Sequence, residues 1–90
     1  MNSFLSQKTI AVVLVDHIPP QTTDIQLDQF FKEMDDVAAI QYITGEEGDA
    51  LGRSCWIHVS KPTTTVKMIN ISTIDGQQPR ARLMGYLVAA

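Results

Sequence analysis

The sequence predicts an α+β domain with a four-stranded antiparallel sheet and two helices on one face, on three observations. Four short segments rich in β-branched and apolar residues alternate or run unbroken, while two segments among them repeat at helical spacing. Helix-start residues, Thr23 with Gln26 and later Pro62, precede the helical segments. Turn chemistry at Pro19-Pro20, at 45–49 and at Asp75-Gly76 separates the elements.

The first strand is read over residues 9–15, TIAVVLV, a buried run stopped by Pro19-Pro20, which cannot donate to a ladder. The first helix follows: Thr23 and Gln26 match a capping box, and Asp24 suits the positive end of the helix dipole. Leu27, Phe31, Met34 and Ala38, with Phe30 beside them, give it one inward face. Residues 37–44, VAAIQYIT, form the second strand, and Gly45-Glu46-Glu47-Gly48-Asp49 an acidic loop. The third strand is GRSCWIHVS, 52–60, whose period of two sends Cys55, Ile57 and Val59 inward and Ser54, Trp56 and His58 outward. Pro62 opens a second helix to about Ile71, although Thr63-Thr64-Thr65 is a weak helix former; Val66, Ile69 and Ile74 supply its inner side. Asp75-Gly76 is a turn, Pro79 an interruption, and 82–89 the last strand.

Strand, helix, strand, strand, helix, strand is the order of the ferredoxin-like sandwich, whose second sheet face is open to solvent or a partner. That order hosts many activities, so function must come from residues on it. Ninety residues make one domain, 1–90, with 1–8 as an arm. MNSFLSQK lacks the apolar core of a signal peptide, no run approaches a membrane span, and a single cysteine suits a reducing compartment, so the expected location is intracellular, nuclear or cytoplasmic. The formal net charge of −3 opposes strong nonspecific binding to nucleic acid, although seven Lys and Arg can still cluster into a small basic face.

Val13-Leu14-Val15-Asp16-His17-Ile18 before Pro19, then Leu27, Phe30 or Phe31, Met34, Val37 and Ile40, then 51–59, then Ile74-Asp75-Gly76, follow one another over residues 9–89. In order and spacing they resemble the RNA recognition motif family: its hexapeptide, its helix pattern, its octapeptide and the turn before its last strand. Asp35 stands where the family commonly has glycine. The resemblance implies a noncatalytic domain without cofactor that binds single-stranded RNA by stacking bases on rings of the two central strands. The three stacking positions are here Leu14, Ser54 and Trp56, and Arg53 replaces the octapeptide glycine. One ring therefore remains. Since stacking contributes about 1–3 kcal/mol per base, binding is expected to be weak.

Two readings follow. In the first, Trp56 stacks a base, Arg53, Arg80 or Arg82 meets phosphate, and Gln41 or His58 contacts a base edge. In the second, the same scaffold contacts a protein through Trp56, with Leu14 and Ile43 extending an apolar patch. Protein-binding relatives of the family carry an arginine-x-phenylalanine feature in a late loop; Pro79-Arg80-Ala81-Arg82 has no ring. A third class with this strand order is the small-molecule regulatory domain, which Asp16 followed by Pro19 resembles, without the glycine that would admit a ligand to the backbone. No metal site is expected. His17, Cys55 and His58 are few and scattered, and Cys55 and His58 point to opposite faces of one strand, which also rules out a cysteine–histidine nucleophile. Glu33, Asp35 and Asp36 read as a solvated helix end, and Glu46, Glu47 and Asp49 lack the spacing of a calcium loop.

Overall fold

Residues 8–35, 37–43 and 53–89 are described by the structure, a computed structural model. The expected acidic loop at 45–49, Thr44, Asp36, residues 51–52 of the octapeptide-like stretch and residues 1–7 of the expected arm lie outside the described residues. The chain folds as a small α+β domain: strand β1 (Lys8–Ile18), helix α1 (Asp24–Lys32), strands β2 (Val37–Ile43) and β3 (Arg53–Val59), helix α2 (Pro62–Asn70) and strand β4 (Arg80–Ala89). The four strands form one open antiparallel sheet in the order β2-β3-β1-β4.

In β1 the period of two buries Ala11, Val13 and Val15. The strand does not stop at Val15, and Lys8 belongs to it rather than to an arm. Pro19 lacks an N–H, but residues 16–18 do not, so the ladder continues through a bulge between Val15 and Ile18. His17 adopts a positive φ of 61° there, and the extra residue lets Ile18 turn back into the core. Gln77 Nε2 donates to the His17 carbonyl at 2.6 Å and holds the bulge.

The capping box of α1 forms as its residues predict: Gln26 N donates to Thr23 Oγ1 at 3.2 Å, and Thr23 N to Gln26 Oε1 at 2.8 Å. Leu27 and Phe31 are buried, with Phe30 and Met34 packed partly against them. Ala38, expected on that face, is instead exposed in β2, because the helix ends at Lys32 before its next turn reaches it.

Helix α2 opens on Pro62, but its N-cap residue Lys61 makes no side-chain cap. Asp35 supplies one from the far side of α1. Its carboxylate accepts from Lys61 N at 2.8 Å, Ser60 Oγ at 2.8 Å and Thr65 Oγ1 at 2.6 Å. This carboxylate satisfies the orphan N–H of the N-cap residue Lys61 and favours the positive helix end, which offsets the poor propensity of the threonine run. Thr65 is fully buried with its hydroxyl paired, a core position that apolar patterning does not reveal.

Asp75 (φ 49°) and Gly76 (φ 83°) make a two-residue turn closed by Ile74 N to Gln77 O at 2.8 Å and Gln77 N to Ile74 O at 3.0 Å. Positive φ at both central residues is the type I′ geometry that Asp-Gly favours. Strand β4 then begins at Arg80, two residues before the expected start. At its outer edge the Asn70 side chain accepts from Ala81 N at 2.7 Å and donates to Ala81 O at 3.2 Å, standing in for a neighbouring strand.

One core joins the helices to the sheet: Val13, Val15, Cys55, Ile57 and Val59 cluster with Leu27, Phe31, Ile69 and Ile74. The nine residues of α2 extend about 14 Å, whereas the ten of β4 extend about 33 Å. Leu83 and Tyr86, opposite core residues Val13 and Ala11, consequently stay exposed.

Candidate functional site

Cross-strand partners share a face, so the register sorts the side chains. Trp56 is the partner of Leu14 on one side and of Gln41 on the other, and Leu14 is the partner of Arg82. Gln41, Trp56, Leu14 and Arg82 therefore form one row across all four strands, on the face away from the core. At the usual strand spacing the row is about 14 Å long. Ile43 and Ser54 pair on one side of it; Ala39, His58, Val12 and Gly85 line up on the other, with Ile10 and Leu87 beyond. Trp56, Ser54, His58, Leu14 and Val12 are half-buried, while Gln41, Ile43, Arg82 and Leu87 are exposed.

The alternation in β3 follows the sequence reading, with Cys55, Ile57 and Val59 buried and Ser54, Trp56 and His58 open. Six of the eight candidate contact residues thus come together: Leu14, Gln41, Ser54, Trp56, His58 and Arg82. Arg80 stands at the start of β4, opposite Asp16, beside this group.

Arg53 is elsewhere. It shares the inward parity of Cys55, and its guanidinium donates to the Thr22 carbonyl and the Asp24 carboxylate while lying 5.4 Å from the centre of the Tyr42 ring. It ties the start of β3 to the start of α1, so the expectation that it meets a phosphate on the open face is corrected. Tyr42 belongs to the same knot. Its hydroxyl donates to the Asp24 carbonyl at 3.0 Å, and burial, aided by Asp24, pushes the phenol above its ordinary range.

Asp16, which sequence reading left out of the site, stands at its Arg82 end. Its carboxylate lies 2.7 Å from His17 Nδ1 and 3.8 Å from the Arg82 guanidinium. The β4 residue Leu87, the partner of Ile10, was also missed. The register of β4 shifts opposite Val12 and Val13, and a bulge breaks the simple alternation by which it would be found.

Among the described residues no group of three or more His, Cys, Asp or Glu is placed to hold a metal ion. Burial pushes the Cys55 thiol up to about 12, far from a nucleophile's range. The thiol is thus expected to resist an alkylating reagent in the native protein and to react at the rate of a free thiol in denaturant, as followed by mass spectrometry. An exposed cysteine ionises near 9.0, so the unfolded chain loses its proton first. The corresponding stability is fully present below about pH 9 and is lost as pH rises toward 12.

No helix among the described residues is long and apolar enough to cross a membrane. Neither a protein-family model nor a curated protein matches the chain.

Proposed function

We propose that this chain is a noncatalytic module of the RNA recognition motif type, built as a ferredoxin-like sandwich, that binds single-stranded RNA weakly on its open sheet face. The observation that carries this reading is the row Gln41–Trp56–Leu14–Arg82: a ring, an amide edge and a guanidinium in line across the open face. Such a row offers a stacking surface, a hydrogen-bonding edge and a phosphate contact in reach of one short strand. The βαββαβ order and the strand order β2-β3-β1-β4 support the sandwich assignment.

The test is a titration with short RNA pools at low salt, following backbone amide shifts. Movement is expected at Leu14, Gln41, Ser54, Trp56 and Arg82, and Trp56→Ala should weaken binding about 5- to 150-fold. No movement around Leu14, Ser54 and Trp56 at millimolar RNA overturns the reading.

A second reading, a protein-contact face, is favoured by the apolar surplus. Ile43 and Leu87 are exposed at either end of a surface that also holds Ile10, Val12 and Leu14. Salt separates the two, because phosphate binding weakens steeply with ionic strength and apolar contact does not.

A further inference from the structure

At the Arg82 end of the row the surface falls into a cleft of about 560 Å³ at the start of β4, whose charged and polar walls are His17, Asn70, Gln78, Arg80 and Arg82. Two guanidiniums, an imidazole and two carboxamides line it, in a chain of net charge −3, and the nearby Asp16 carboxylate meets His17 and Arg82 but not Arg80. The frame is held internally. Asn70 is tied at both ends of its amide to Ala81, Gln78 Nε2 donates to the Asn70 carbonyl, and Gln77 holds the His17 bulge.

The cations of this domain are otherwise matched in several places. Arg53 is paired with Asp24, and Lys32 with Asp28 at 3.2 Å. Arg80 has no carboxylate partner among the described residues. Asp16 is its register partner, yet that carboxylate turns to His17 and Arg82. Arg80 is therefore an uncompensated guanidinium at a polar cleft, a group suited to bidentate contact with a tetrahedral anion.

We infer that this cleft is a phosphate subsite, filled by a backbone phosphate of the single strand as it leaves the sheet face over β4. The inference rests on the RNA reading above and adds a path: bases lie over Trp56, and the chain exits past Arg82 to Arg80. Arg80 is the principal anion ligand, and Arg82 and His17 flank it.

The test uses the full chain and three variants, Arg80→Gln, Arg80→Lys and Trp56→Ala, titrated with inorganic phosphate, a short oligoribonucleotide and a phosphoserine peptide while amide shifts are followed. Inorganic phosphate is expected to move Gln78, Arg80 and Ala81 in the native and Trp56→Ala proteins, and not in Arg80→Gln. Oligonucleotide should move the same amides together with Trp56. Arg80→Gln should lower the slope of log K against log salt by about 0.7, the loss of one phosphate from a single strand. Arg80→Lys, which keeps the charge, should keep that slope while weakening binding. If oligonucleotide moves Trp56 but leaves Gln78 to Ala81 still, and Arg80→Gln keeps the native slope, the subsite is overturned and the sheet-face reading stands. If the cleft answers to phosphate or the phosphopeptide and nothing answers to oligonucleotide, the RNA source falls together with the sheet-face reading.

Discussion

Phe31→Ala is expected to destabilise the domain by about 3–5 kcal/mol, the range for emptying a fully buried aromatic site. Phe31 has no exposed surface, sits in the cluster with Val13, Ile57 and Ile69, and meets Phe30 edge-on at a centroid distance of 5.4 Å. A domain of this size holds about 5–13 kcal/mol in all, so this one change removes between about a quarter and the whole of it. The comparison that makes the test sharp lies on the same helix. Ile25 is apolar too but is 72% exposed, and Ile25→Ala should stay within about 0.5 kcal/mol of the native protein. Denaturant midpoints at constant slope decide the matter. Equal midpoints for the two variants would mean that α1 does not present Phe31 to the core.

Asp35→Ala is expected to cost about 2–3 kcal/mol, a large effect for a residue that is not deeply buried. The carboxylate joins Ser60, Lys61 N and Thr65, and its loss uncaps α2 and leaves the buried Thr65 hydroxyl without that partner. Thr65→Val removes the hydroxyl itself, so Thr65→Val with Asp35→Ala should cost less than the two single changes added together. Hydrogen exchange should show the loss concentrated in the α2 amides. A midpoint unchanged by Asp35→Ala, or protection lost evenly over the sheet, would remove Asp35 from its capping role.

The elements that could be read in the chain are those whose cause is local. Thr23 and Gln26 are three residues apart and cap each other; Asp75-Gly76 makes its turn from its own backbone preferences; Cys55, Ile57 and Val59 are buried at a period of two. Six of the eight candidate contact residues gather on one face for the same reason, since alternation within each strand assigns the side and antiparallel pairing then aligns the rows.

Other features depend on partners far away in sequence. Asp35 looked like part of a solvated acidic helix end until the fold set it against Lys61 and Thr65, 26 and 30 residues on. Arg53 was expected on the open face, yet its guanidinium is taken by Asp24 and Thr22 on the other side of the sheet. The bulge at His17 extends β1 beyond the reach expected from Pro19 and puts an imidazole beside Arg80 and Arg82, because ladder pairing and burial of Ile18 outweigh the local cost of a positive φ.

Residue order alone accordingly settles the α+β class, the helix starts, the Asp-Gly turn and which side of β3 carries Trp56, since each depends on neighbours within a few positions. Which charges remain uncompensated, which residues cap α2 and where the cleft opens beside the sheet are decided by packing. A carboxylate or guanidinium acquires its role from the partner the fold brings within hydrogen-bonding distance, and nothing in its own stretch of chain encodes that partner.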